Sequence, residues 1–191
     1  MYKNNKGLRE WQLDTNTFKI DFLTKCNTFG IEPYNIKFYS QQDEDKYIIQ
    51  YLLNKKIEDG TYLEIGACDG VLYSNTKTLE DYFGFKGILI EPQPVFYSNL
   101  EKNRNKSNNE LYNYAVSNND CEEITFIGNN AEGGIFNNIN TDLTRYNWNS
   151  YKVKNKKMSE ILKQSKFEYI DFMIIDVEGS ELSLLKSIDY K

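Results

Sequence analysis

The 191-residue chain contains no histidine. That absence closes the Ser-His-Asp and Cys-His catalytic sets and the usual histidine-containing zinc sites, so acid-base work falls to carboxylates, lysine or tyrosine. Cysteine is scarce and odd in number: Cys26, Cys68 and Cys121 stand far apart with no CxxC pair. The pattern predicts small buried hydrophobes in a reducing compartment rather than a disulfide framework. No apolar run approaches the roughly 18 residues of a membrane span, and the opening MYKNNKGLREWQLD lacks the apolar stretch of a signal peptide. An excess of positive charge is also missing. The 28 acidic and 23 basic residues leave a net charge of −5 and a pI near 5.0, so no global field draws the chain to phosphate backbones or anionic lipid. These absences predict a soluble cytoplasmic protein with neither nucleic acid nor a membrane as partner.

What is present suits a core. Hydrophobic residues make up 40% of the chain and aromatics 15%, at a length expected of one domain or one domain plus an appendage. Residues 1–38 are polar, with Trp11, Phe18, Ile20, Phe22 and Leu23 as clustered apolar positions, and are read as an N-terminal appendage to a domain over 39–191. SQQDEDKYIIQYLLNKK predicts a helix: Ser40 stands at an N-cap, acids fill the first turn, and Tyr47, Ile48, Tyr51 and Leu52 share a face. From there strand and helix alternate. TYLEI is followed by the helical TKTLEDYF, GILIE by VFYSNLEKNR, and IDFMIID by SELSLLKSI, with LYNYAVS and EEITFI as further strand candidates. The consecutive apolar positions of GILIE and IDFMIID fit parallel strands covered on both faces, hence an α/β fold with a mostly parallel, doubly wound sheet. Residues 128–157, rich in Asn, Gly and Lys, read as a long loop given partial order by Phe136, Tyr146, Trp148 and Tyr151.

Three strand tips carry the chemistry. In doubly wound sheets ligands lie at the carboxyl ends of the strands. The segment Glu64-Ile65-Gly66-Ala67-Cys68-Asp69-Gly70 occupies the first such end. It departs from the dinucleotide pattern GxGxxG, because Ala67 and Cys68 follow Gly66, and so disfavours NAD. A strand-end carboxylate beside glycines suits a cationic ligand without phosphate, namely S-adenosylmethionine; a tight turn with no ligand is the plainer reading. Glu91 ends the second strand at a spacing suited to gripping ribose hydroxyls, its plainer role being to cap the next helix. Asp176 and Glu178 end the strand of IDFMIID. They can orient a substrate, hold a cation or take a proton, or cap the helix that follows.

YLEIGACDG, SNT, GILIEPQPVFYSNLEKNR, NYAVS and IDFMIIDVEGSELSLLK follow one another in a pattern that resembles FkbM-type S-adenosylmethionine-dependent methyltransferases, over roughly residues 40 to 188. The resemblance implies a Rossmann-like class I methyltransferase fold acting on hydroxyls of sugars, glycans or other small molecules, with S-adenosylmethionine as cofactor. It carries Glu64, Gly66 and Gly70 to the methionine part, with Ala67 and Asp69 in the same binding loop, and Glu91 to the ribose. It sets Val116 or Ser117 near adenine, and Asp176 and Glu178 at the reacting centre as candidate catalytic groups, Asp176 first. No metal is assigned, because the oxygen ligands are not clustered in sequence. Residues 128–151 are expected to form the acceptor lid. Family members continue past the DVEG helix into further strands, so the sheet is expected to lack its C-terminal strands. The rival reading is a methyltransferase-fold module that binds without turnover.

Overall fold

The computed structural model describes residues 24, 26–27, 30, 32, 35–55, 59–105, 108–129, 131–136 and 148–188. Trp11, Phe18, Ile20, Phe22, Leu23 and Tyr146 lie outside the described residues. In chain order the elements are α1 (Glu44–Lys55), β1 (Thr61–Ile65), α2 (Lys77–Phe83), β2 (Lys86–Ile90), α3 (Pro94–Arg104), β3 (Glu110–Tyr112), β4 (Ala115–Val116), β5 (Glu123–Asn129), β6 (Glu132–Ile135), β7 (Asn149–Lys156), α4 (Met158–Gln164), β8 (Phe172–Ile175) and α5 (Glu181–Ser187).

Four strands form a parallel sheet in the order β3-β2-β1-β8. Successive strand residues point to opposite faces, and both faces of this sheet are covered. Tyr62 and Leu89 join Ile49 and Leu52 of α1, Leu79 and Phe83 of α2 and Leu100 of α3 in one buried cluster. Leu63, Ile65, Ile88 and Ile90 face the other way, onto Met158 and Ile161 of α4, Leu184 of α5 and Val116. Burial on both faces explains why TYLEI and GILI read as unbroken apolar runs around one acid. The register sets Ile65 beside both Ile90 and Ile175, so three strands end level at one edge.

The second sheet has the order β4-β7-β5-β6, with β5 antiparallel to both β6 and β7. It corrects the expected loop over 128–157: β6 and all of β7 lie inside that range. In β7, Tyr151, Val153 and Asn155 turn inward while Lys152 and Lys154 turn out. Asn155 disguises the alternation, yet inside the fold it is fully used, accepting from Ser117 Oγ at 2.8 Å and donating to the Asn119 and Cys121 carbonyls. LYNYAVS is likewise two strands in two sheets, not one. Between them Asn113 donates to the carbonyls of Glu91 and Pro92, at 2.8 and 3.1 Å, and the chain leaves the first sheet. Helix α1 starts at Glu44 rather than next to Ser40, which instead bridges to Tyr73 and donates to the buried Asp45 carboxylate at 2.7 Å. Of the cysteines, Cys26 is buried, Cys68 half-buried and Cys121 exposed, so burial does not hold for all three.

Behind the sheet edge one charge organises several elements. Arg104, at the end of α3, is wholly buried. Its Nε donates to Glu80 Oε2 at 2.8 Å, and Nη2 forms the ion pair with the same oxygen at 2.7 Å. The remaining donors reach the Gly70 carbonyl, Ser74 Oγ, Tyr62 Oη and Thr76 Oγ1. Burial works against the guanidinium charge, but Tyr62, Glu80 and Glu64 outweigh it and hold Arg104 above its ordinary value. Removing one partner of a buried pair leaves the other uncompensated. Arg104→Met is therefore expected to cost about 3–5 kcal/mol of unfolding free energy, measured by urea denaturation. A loss below about 1 kcal/mol would be the behaviour of a solvated surface pair instead.

Candidate functional site

The level ends of β1, β2 and β8 open on one cavity of about 420 Å³. It lies where the strand order reverses, with β2 on one side of β1 and β8 on the other, the switch point at which open α/β sheets bind ligands. Gly66, Ala67 and Cys68 leave β1 and form one wall; Glu91 and Gln93 leave β2, and Asp176 and Glu178 leave β8. The β5–β6 hairpin supplies Phe126, Asn129 and Glu132.

The loop after β1 is stitched to both neighbours. Gly66 and Ala67 donate backbone N–H groups to the Ile90 carbonyl at 3.0 and 3.1 Å, and Asp176 donates its own to Ile65 at 3.0 Å. Gly66 has φ +89°, and a Cβ there would lie 2.1 Å from the Asp176 carbonyl oxygen. Only glycine allows the two strand tips to close so tightly.

Glu91 is 4% exposed, and both its oxygens are engaged: Oε2 accepts from Cys68 N–H at 3.0 Å and Oε1 from Gln93 N–H at 2.8 Å. Burial pushes its carboxyl up to about 7, against the pull of those two N–H groups. The carboxylates of Asp176 and Glu178 have no hydrogen bond or ion pair among the described residues. Burial raises the pKa of both; Glu181 and Glu44 add to this at Asp176, and Asp176, Glu181 and Glu132 at Glu178. Neither acid caps α5. Ser180 stands at that N-cap, and Glu181 accepts the N–H groups of Val177 and Gly179. With Glu132, the acidic groups of the wall are carboxylates, and among the described residues no lysine or arginine lines the cavity. Such a wall attracts a cation and resists phosphate.

The structure brings Gly66, Ala67, Glu91, Asp176 and Glu178 to the cavity and leaves the other sequence candidates outside its lining. Glu64 is 2% exposed and turns toward α2, where Oε2 accepts from Thr76 Oγ1 at 2.6 Å and Oε1 from Asn75 N–H at 3.1 Å. Burial pushes its pKa up, opposed by Arg104, Thr76 and Asn75. Asp69 caps its own turn, accepting from Val71 and Leu72 N–H, and Gly70 packs under Arg104 and Leu100. Val116 is core, and Ser117 is bonded to Asn155. Among the described residues no group of three or more His, Cys, Asp or Glu is placed to hold a metal ion. Of the expected lid over 128–151, residues 130 and 137–147 lie outside the described residues; the hairpin reaches the cavity, and Tyr151 packs against the core of the second sheet.

Sequence reasoning assigned no role to Gln41, Tyr73, Asn75 or Glu132, which line the cavity. For Asn75 there was a signal, the SNT triplet soon after the glycine loop. Gln41 and Glu132 reach the site only through tertiary packing.

A family model described as Methyltransferase FkbM domain matches residues 64–191. No curated protein and no solved structure matches the chain.

The position of Glu91 generates a pH dependence. Its carboxyl loses its proton near the model-compound value of 4.5 in the unfolded chain and at about 7 in the folded one. The folded state binds the extra proton between those values, so this contribution is complete below the unfolded pKa and is lost as pH rises through about 7. The melting temperature of the wild type should thus fall relative to Glu91→Gln between about pH 5 and 8. Parallel melting profiles for the two proteins would mean that Glu91 titrates like a solvated carboxylate.

Proposed function

As the chain belongs to the FkbM methyltransferase domain family, we propose that it transfers the sulfonium methyl group of S-adenosylmethionine to a hydroxyl of a sugar, glycan or other small molecule, on a Rossmann-like class I fold. The observation that carries this reading is Glu91, a carboxylate buried at the tip of β2 in the wall of a cavity whose charge-bearing side chains, among the described residues, are carboxylates. Each of its oxygens takes one backbone N–H and keeps a lone pair, so the pair can accept the two hydroxyls of a ribose. The volume falls within the roughly 300–1,000 Å³ of small-ligand sites. A ligand with sulfonium and ammonium charges and no phosphate fits this wall, whereas the pyrophosphate of NAD or a nucleotide sugar would meet no cationic side chain among the described residues.

When bound, S-adenosylmethionine supplies an electrophilic methyl group. The protein's part is to hold donor and acceptor in line and to remove a proton, because an alcohol is a poor nucleophile. Asp176, unpaired at the tip of β8 and raised by its surroundings, suits the role of positioning group or base at its carboxylate, with Glu178 second. Phe126 and Asn129 of the hairpin offer the aromatic face and amide that a sugar binds.

Calorimetry with S-adenosylhomocysteine tests the reading. Binding is expected, and Glu91→Ala should weaken it by about 1.5–3 kcal/mol, the range for losing hydrogen bonds to a charged group. An unchanged dissociation constant in a folded variant would leave Glu91 without a ligand role. With an acceptor found by screening sugars and glycans, Asp176→Asn should lower methyl transfer by roughly 10²-fold and change cofactor affinity little. Equal losses of affinity and turnover would make Asp176 part of the cofactor pocket.

A further inference from the structure

We propose that Asn75 binds the ammonium group at the amino-acid end of the cofactor through its side-chain oxygen. The inference rests on the methyltransferase reading of the same cavity and adds a contact that the sequence motifs did not assign.

Asn75 Oδ1 is the one buried side-chain polar atom without a hydrogen-bond partner among the described residues. It belongs to a residue of the cavity wall. An unmet buried acceptor costs roughly 1–3 kcal/mol, a cost that a ligand donor removes. The segment around it is not slack. One buried carboxylate, Glu64, receives Asn75 N–H at 3.1 Å and Thr76 Oγ1 at 2.6 Å, with Ser74 Oγ at 3.5 Å. Arg104 in turn donates to Ser74 Oγ and Thr76 Oγ1, at 3.1 and 2.9 Å. Both neighbours of Asn75 are therefore fixed from behind by side chains that do not touch the cavity. The acceptor is held on a rigid backbone, as a preorganised site requires. Its complement is a group rich in N–H donors, and beside Glu91, Asp176 and Glu178 a positively charged one is favoured over a neutral one. Of the cofactor's two cationic centres, only the ammonium carries N–H.

Two ligands and two variants decide the matter by calorimetry. S-adenosylhomocysteine has the amino-acid end; 5′-methylthioadenosine has the same nucleoside thioether without it. Asn75→Leu is expected to weaken S-adenosylhomocysteine about tenfold or more and to leave 5′-methylthioadenosine unchanged, which also shows that the variant is folded. Asn75→Asp keeps the shape and the acceptor and adds negative charge, so it should retain S-adenosylhomocysteine affinity. Equal weakening of both ligands by Asn75→Leu, or no weakening of either, overturns the proposal. So does an Asn75→Asp variant as impaired as Asn75→Leu toward S-adenosylhomocysteine, which would set the amide against the ligand's carboxylate. Wild-type protein that binds 5′-methylthioadenosine but gains nothing from the amino-acid end overturns this contact alone, whereas failure to bind either ligand overturns the cofactor reading and this contact with it.

Discussion

The buried guanidinium of Arg104 is the constraint on which the ligand edge of the sheet depends. It draws together the first strand through Tyr62, the glycine loop through Gly70, the SNT segment through Ser74 and Thr76, and the second helix through Glu80. Asn109, ahead of the third strand, closes the circle by donating to Glu80 and accepting from Gly87 N–H. A buried ion pair is weak evidence for stability in itself, since desolvating both charges offsets much of their attraction. What the network supplies is register. All five guanidinium donors have partners, and those partners come from segments distant in sequence that have to meet in one arrangement.

The same arrangement divides charge across the sheet edge. Arg104 and Glu80 lie behind the loop with Glu64, and among the described residues no lysine or arginine faces the cavity. Glu64 thus acts on the inside, where its carboxylate fixes the backbone of Asn75 and the hydroxyl of Thr76. Glu91 faces the other way and is held by two backbone N–H groups rather than by a counter-charge. Two strand-tip carboxylates that look equivalent in sequence are one a structural anchor and one a candidate ligand group.

That difference shows where a sequence is readable. The apolar runs of the first, second and last strands and the acids and glycines at their ends announced a parallel sheet with a candidate site at its edge, where the structure has a cavity, because both signals are local. Strand parity was the overlooked local clue: Glu64 shares a face with Tyr62, so it points toward the helices and not out of the tip. Arg104 was not legible as the partner of that face, since it stands some forty positions along the chain and reads as an ordinary helix-ending cation. The resemblance set Val116 or Ser117 near adenine, after a strand candidate LYNYAVS that read as one strand. Asn113 breaks it, and the second half pairs with a strand that an asparagine and several lysines had hidden. Glu132 reaches the cavity only because the β5–β6 hairpin folds over it, a contact with no local signature.

Strain collects at the same place. Cys68, Tyr73 and Glu178 adopt left-handed backbone, with φ of 50°, 57° and 42°, and all three line the cavity. For a residue with a side chain this conformation costs of the order of 1–2 kcal/mol, and such costs persist only where the surroundings over-determine them. The unpaired Asp176 and Glu178, with their neighbouring acids, add repulsion at the same wall. A fold selected for stability alone would place glycine or asparagine at the turns and a lysine opposite the acids. Left-handed backbone also occurs at Asp43, Asp59 and Asn108, away from the cavity, but the bulkier residues that adopt it line the cavity together with the acids, while Arg104 and the clusters on both faces of the sheet lie behind it. A cationic ligand would relieve the acid repulsion by occupying the wall, so binding and stability are coupled through the same carboxylates.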